Sequence, residues 1–294
     1  MIVVMGAAGH TGKATAEKLL SRGQKIRVIG RSAARLQALT DRGAESAVGD
    51  VFDGAFLARA FSGAEGVYAM VPPDYSQADL RVYYNRCADV MTEAARKAGV
   101  KRIVLLSSLG AEHESGTGPI AGLHDVEKKL ERVGEDLLIL RPGYFYDNLY
   151  ASIPIIKSQG INGGAIEPDV PIPMTATTEI GAAAGEELAE GKFTGTSIRE
   201  LLGPRDYTMS EATRVLGAAI GKPDLPYLRF PDADFEKALL AAGFSKGAAS
   251  ALVEMSHALS AGRVRSLQGR TPRTTVPDSL ESFAKTFAAA YRAG

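Results

Sequence analysis

Glycine stands at the first, fourth and seventh places of Gly6-Ala7-Ala8-Gly9-His10-Thr11-Gly12. The short apolar run 2–5 leads into this stretch, and an amphipathic helix pattern over 13–22 leads out of it. A turn between a strand and a helix gathers unpaired N–H groups and the positive end of the helix dipole at one point. Glycine lets a diphosphate approach that backbone with no Cβ in the way. The chemistry this predicts is dinucleotide binding, with Gly6, Ala8, Gly9, His10, Thr11 and Gly12 around the pyrophosphate. A triphosphatase P-loop is excluded. It needs four residues before Gly-Lys-Ser/Thr, whereas five separate Gly6 from Gly12-Lys13, and Ala14 stands where the magnesium hydroxyl belongs. The tip of the second strand reads Ile29-Gly30-Arg31-Ser32, without the acid that holds the ribose hydroxyls of NAD. Arg31 offers a fork suited to a 2′-phosphate, and Ser32 a further donor, so NADP(H) is expected over NAD(H). Arg35, one turn on, reads as a solvated cation.

These residues need a frame to position them. The chain has 294 residues, 45% hydrophobic and 23% charged, which excludes disordered, collagen-like and coiled-coil chains. Lys+Arg and Asp+Glu are both 34. With no bulk field to recruit polyanions, neither nucleic acid nor a membrane surface is an expected partner. The single cysteine, Cys87, forms no internal disulfide and no cysteine zinc site, which suits a reducing cytoplasm. The apolar start breaks at Gly6, too early for a signal peptide, and no later run is long enough to span a bilayer.

Apolar runs at 2–5, 26–29, 46–48, 66–71, 102–106 and 137–140 read as strands. Helical patterns at 13–22, 33–41, after Asp53, at 76–98 and at 120–133 alternate with them. This alternation predicts an α/β fold with a doubly wound parallel sheet of the Rossmann type. Residues 1–152 form its nucleotide-binding domain, completed by a helix over 179–189 and a strand over 197–202. Residues 153–169 and 204–294 form a smaller, mainly helical substrate-binding or lid lobe. Its helices are placed near 233–242, 246–261 and 279–291, with Ser210 as a cap. The long helices at 76–98 and 120–133 either cover the sheet or pack on a second copy in a homo-oligomer.

Gly49-Asp50, Met70-Val71-Pro72-Pro73, Val104-Leu105-Leu106-Ser107-Ser108 and Leu140-Arg141-Pro142 follow the glycine turn in order. Met174-Thr175 and Leu202-Gly203-Pro204 come later. Together they resemble the NmrA-like, atypical branch of the short-chain dehydrogenase/reductase superfamily. The resemblance implies that Asp50 contacts the adenine amino group and Val51 packs beside the ring. It places Met70, Val71 and Pro72 around the adenosine ribose, Ser107 and Ser108 beneath the nicotinamide, and Tyr144 and Phe145 as walls of the nicotinamide pocket. Active reductases of the superfamily carry Tyr-x-x-x-Lys on the helix before the sixth strand. Here that helix reads Leu123-His124-Asp125-Val126-Glu127-Lys128-Lys129. His124 and Lys128, four apart, share a face. Lys128 matches the family lysine that binds the nicotinamide ribose, and His124 is a candidate proton donor. Ser108 completes the candidate catalytic set. Glu127 with His124 lacks a third ligand, so no metal is expected. The implied activity is NADPH-dependent reduction of a flat, weakly polar acceptor such as a quinone, imine or conjugated carbonyl. A non-catalytic NADP(H) sensor, as the branch also contains, is the alternative. An isomerase or dehydratase using the cofactor structurally comes third.

Overall fold

The computed structural model describes residues 1–293. Apolar runs in the first half become parallel strands, buried on both faces except at the sheet edge, where Glu45–Val48 is largely exposed. These are β1 (Ile2–Val4), β2 (Ile26–Gly30), β3 (Glu45–Val48), β4 (Gly66–Ala69), β5 (Arg102–Leu106) and β6 (Asp136–Pro142). The helices between them are α1 (His10–Ser21), α2 (Ala33–Thr40), α3 (Gly54–Phe61), α4 (Leu80–Ala98) and α5 (Pro119–Leu130). After β6 come β7 (Tyr144–Phe145), a 3-10 helix (Tyr146–Ser152), α6 (Ile153–Gln159), β8 (Asn162–Gly164) and β9 (Ile172–Thr175). Next, α7 (Thr177–Glu190) and β10 (Thr196–Leu201) return to the main sheet, as the sequence pattern predicts. The remainder holds β11 (Asp206–Tyr207), α8 (Met209–Ala219), β12 (Tyr227–Arg229), α9 (Asp232–Ala241), α10 (Lys246–Ser260) and α11 (Leu280–Ala293).

The main sheet runs β10-β6-β5-β4-β1-β2-β3, all parallel. Its order reverses between β1 and β4, which opens a crevice at the carboxyl ends of those strands. Side chains alternate along each strand and feed two cores. Val3, Met5, Met91, Ile103 and Val126 join α3, α4 and α5 to one face. Val4, Leu19, Val28, Ile180 and Ala184 join α1 and α7 to the other. A third core gathers around Tyr146, Tyr207, Leu216 and Phe287. Two small sheets, β11-β9-β7 and β12-β8, are too short to signal in the sequence. Among the described residues no helix is long and apolar enough to cross a membrane. Nor does any group of three His, Cys, Asp or Glu side chains sit where it could hold a metal ion.

Several helix starts differ from expectation. α1 begins at His10 rather than Lys13, because Gly9 takes an extended conformation just before it. α4 begins at Leu80 rather than at 76. Asp74 draws Ser76 into a local turn (2.6 and 3.1 Å), and the cap is Asp79, whose Oδ1 accepts from Val82 N at 3.0 Å. Thr208, not Ser210, caps α8. Glu211 N donates to Thr208 Oγ1 (3.1 Å), and Thr208 N donates to Glu211 Oε2 (2.9 Å), a complete capping box. Ser210 lies within the helix and donates to Asp169. Thr208→Ala should cost ~1 kcal/mol and lower the melting temperature by ~2 °C, whereas Ser210→Ala should change it little. Thermal melts of the two variants decide which residue is the cap.

Candidate functional site

The glycine turn lies at the topological switch point. Gly6 has φ +63°, a conformation that disfavours side chains. Its carbonyl accepts from Gly9 N at 2.8 Å, and Ala7 N donates to Ile29 O on β2 at 3.2 Å. A methyl group on Gly12 would overlap the Gly6 carbonyl. Among the described residues, no side chain caps α1 and no acid stands in its first turn. The first N–H groups of this helix therefore point at the crevice without a protein acceptor, the arrangement that receives a phosphate. His10 Nδ1 lies 2.8 Å from Asp147 Oδ1, which also accepts from Thr177 Oγ1 at 2.9 Å. This contact ties the segment after β7 to the turn. Beside it, a cleft of about 390 Å³ lies between α1 and α11, lined by His10, Asp147, Tyr150, Thr177, Asp278 and Thr286 among others. Neither Ser107, Ser108 nor Tyr144 lines that cleft.

At the tip of β2, Arg31 is exposed and Ser32 makes no capping bond to α2. Arg35 differs from its expected role as a solvated cation. Its Nη2 donates to Ala8 O at 2.8 Å, so it fastens α2 to the phosphate turn. Asp50 is exposed, and one of its oxygens accepts from Phe52 N at 2.9 Å. Val51 packs on the first core. Met70 closes over the turn, where a Cβ on Gly6 would lie 2.7 Å from its sulfur. Val71 is buried, and Pro72 O accepts from Tyr83 Oη at 3.0 Å. Hydrogen bonds from Ser76 and Gln77 hold the Asp74 carboxyl below its usual range, and the charge of Arg31 adds to this. The loop after β4 thus lies close enough to the tip of β2 for the two charges to interact.

The ends of β5 and β6 hold a buried polar network. Ser107 Oγ donates to Glu127 Oε1 at 2.5 Å. Arg141 grips the same carboxylate with Nε (3.0 Å) and Nη2 (2.7 Å), and its Nη1 reaches Glu112 at 3.1 Å. Glu127 and Arg141 are only 2% and 6% exposed, so burial makes this two-pronged contact count. Ser108 is half-buried and donates to Leu109 O at 2.9 Å. His124 Nδ1 lies 2.8 Å from Ala111 O. A carbonyl only accepts, so Nδ1 carries the hydrogen, and neutral His124 has a bare Nε2. Lys128 is exposed and bridges to Glu131 at 3.1 and 3.2 Å. It lies about 100° around α5 from Glu127. The residue one turn before Glu127 on the inward face is Leu123, which packs against two of the cores.

The structure therefore joins Ser107, Glu127, Arg141 and Glu112 and leaves Lys128 outside that group. From the sequence, Glu127 stands out only as half of a metal pair with His124. The available signal was an acid among Val126 and Leu130 on the apolar face of α5, matched by a lone cation in the apolar β6. On β7, Tyr144 pairs with Met174 and Phe145 with Thr175. Both rings are half-buried, and burial pushes the Tyr144 hydroxyl up to about 12.

A parallel sheet that reverses order between β1 and β4, with a glycine turn and an uncapped helix start at that point, defines a Rossmann-type dinucleotide-binding protein. The model of the NmrA-like family matches residues 1–266, and the chain belongs to that family. It is 30% identical over 268 residues to quinone oxidoreductase 2 of Escherichia coli (strain K12), covering 89% of each chain. It is 25% identical to an NAD(P)H azoreductase of Xenophilus azovorans along the full length of both. Among solved structures, an NADPH-dependent quinone oxidoreductase of Escherichia coli complexed with NADPH matches with a TM-score of 0.78 and 26% identity. That match covers 100% of this chain and 99% of the other.

Proposed function

We propose that this protein is an NADPH-dependent reductase of flat, weakly polar acceptors: quinones first, with azo compounds, imines and conjugated carbonyls in the same class. The observation that carries the reading is the uncapped, acid-free start of α1 beside a cation at the tip of β2. When bound, the dinucleotide supplies the hydride. The chain supplies position. Gly6, Ala8, Gly9, His10, Thr11 and Gly12 hold the pyrophosphate, and Arg31 with Ser32 holds the 2′-phosphate. Asp50, through its uncommitted oxygen, and Val51 take the adenine, while Met70, Val71 and Pro72 take the ribose. Tyr144 and Phe145 wall the nicotinamide end. Ser107, held by Glu127, and Ser108 form its floor. Lys128 has no part in this arrangement.

His124, its Nδ1 held by the Ala111 carbonyl, stands where the superfamily places its tyrosine proton donor. A reduced quinone oxyanion needs no buried acid, because water at the cleft mouth can protonate it. His124 donates from Nε2 only as the imidazolium. The missing tyrosine favours a second reading, a non-catalytic NADP(H) sensor. We place the protein in the cytoplasm. There its single thiol stays unreactive, since burial pushes Cys87 up to about 12.

Calorimetric titration with NADPH and NADH, followed by NADPH-oxidation assays on a quinone, azo, imine and enone panel, tests the proposal. NADPH binding with quinone turnover is the expected result. Binding with no turnover on any class would leave the sensor, and no heat with either dinucleotide would overturn both readings.

A further inference from the structure

The cleft of about 390 Å³ between α1 and α11 shares only His10 with the residues assigned to the dinucleotide. Its volume is that of a small-molecule pocket. One wall is aromatic. Phe283 on α11 and Tyr150 on the 3-10 helix both line it, with ring centroids 5.1 Å apart and planes tilted by 56°. Tyr150 also stacks on Phe287, at 5.9 Å and 10° from parallel, and its Oη donates to Thr286 Oγ1 at 3.2 Å. Thr286 Oγ1 in turn donates to Phe283 O at 2.8 Å. The aromatic wall is therefore held in place from both of the elements that build it.

The ionisable side chains of the lining are His10, Lys13, Glu17, Asp147 and Asp278. Most are matched within the protein. His10 Nδ1 lies against Asp147, Lys13 Nζ is 3.9 Å from Glu17 Oε1, and Arg42 reaches the same oxygen at 3.6 Å. Asp278 is the remainder. Among the described residues its half-buried carboxylate has one hydrogen bond, from the neutral Thr178 hydroxyl at 3.5 Å, and no cation. Burial raises the neighbouring Glu179 carboxyl, and the charge of Asp278 adds to this, so negative charge is in excess at this end of the cleft. A carboxylate without a cation, set beside aromatic faces, matches an organic ammonium ion. The carboxylate takes the charge, and the electron-rich rings take the charged rim and the apolar body.

We infer that this cleft is a second ligand site, one that takes a small organic ammonium ion on Asp278 with its apolar body against Phe283 and Tyr150. The inference stands whether or not the protein is a reductase. Phenethylamine is the probe, with neutral 2-phenylethanol and anionic phenylacetate as matched controls. Calorimetric titration of the full chain, with NADP⁺ present, should give phenethylamine a Kd of roughly 1 mM or below, about tenfold tighter than 2-phenylethanol, with phenylacetate weakest. Added salt should weaken the amine and leave the alcohol unchanged. Asp278→Asn keeps the shape and an acceptor for Thr178. It should weaken phenethylamine about tenfold, to the level of the alcohol, and leave the alcohol within about twofold of the parent. Ser282 is exposed and lines the cleft, so Ser282→Phe puts a ring into it. That variant should lose both probes and keep NADPH affinity within about twofold of the parent. A parent that binds none of the probes, or binds the alcohol as tightly as the amine, overturns the inference. So does phenethylamine binding that is unchanged in Asp278→Asn, or that survives Ser282→Phe and therefore lies elsewhere on the protein.

Discussion

Glu127→Ala should destabilise the protein by about 3–5 kcal/mol, because it leaves a buried guanidinium without its two-pronged partner. On a domain of this size that corresponds to a fall in melting temperature of roughly 6–10 °C. Two details set the size. Glu112 remains on Arg141 Nη1, but it is only half-buried and accepts one bond, so it offsets a minor part of the loss. Ser107 Oγ also loses its acceptor inside the protein, which adds the cost of an unsatisfied hydroxyl. The double variant Glu127→Leu, Arg141→Met removes both charges together. It should recover most of the loss, since a buried pair exchanged for apolar side chains is often close to neutral. Thermal and urea melts of Glu127→Leu, Arg141→Met and the double form a cycle whose coupling energy reads the pair directly. A Glu127→Ala protein that melts with the parent would mean that Arg141 is solvated and that the network does not form.

That network also explains why part of the site could not be read from the sequence. The strands of the nucleotide-binding half are legible because burial on both faces makes them continuous apolar runs, such as Ile2-Val3-Val4 and Ile103-Val104-Leu105-Leu106. The glycine turn is legible because its shape depends on residues adjacent in the chain, and the role proposed for Arg31 draws on the same local pattern. Ser107, Glu127 and Arg141 are 14 and 20 positions apart in their contacts, and Arg35 reaches back 27 to Ala8. No local period records such pairings. His124 and Lys128 show the limit from the other side. A spacing of four puts them about 40° apart around a helix, so they share a face, but the spacing does not say which way that face turns. The buried ion pair turns Glu127 inward and leaves Lys128 to Glu131 and solvent. The helix caps divide the same way. Asp53 is predicted correctly from its place before an apolar run, while Gly9 ends the phosphate turn with no side chain to announce it.

Arg31→Ala should weaken NADPH binding about ten- to a hundredfold and change NADH binding by less than about twofold. The two dinucleotides differ only in the 2′-phosphate, and a charged hydrogen bond to it is worth ~1.5–3 kcal/mol. Arg31 is the free cation at the tip of β2, since Arg35 is held on the Ala8 carbonyl. No acid stands from Gly30 to Arg35 to hold the ribose hydroxyls of NADH, so the parent should already prefer NADPH. Asp74 sharpens the argument. Its carboxylate, held by Ser76 and Gln77, lies close enough to Arg31 to feel its charge, and the same negative charge disfavours an incoming phosphate there. Asp74→Asn should therefore tighten NADPH modestly and leave NADH unchanged. Arg35→Ala provides the contrast. It frees the phosphate turn that both cofactors share, and should weaken both together. Added salt should narrow the NADPH preference of the parent and have little effect on that of Arg31→Ala, because the contact is exposed and screened. Calorimetric titration of the three variants with each dinucleotide decides the matter. An equal loss for NADPH and NADH in Arg31→Ala would place the guanidinium on the turn or the ribose and remove the basis for the cofactor preference.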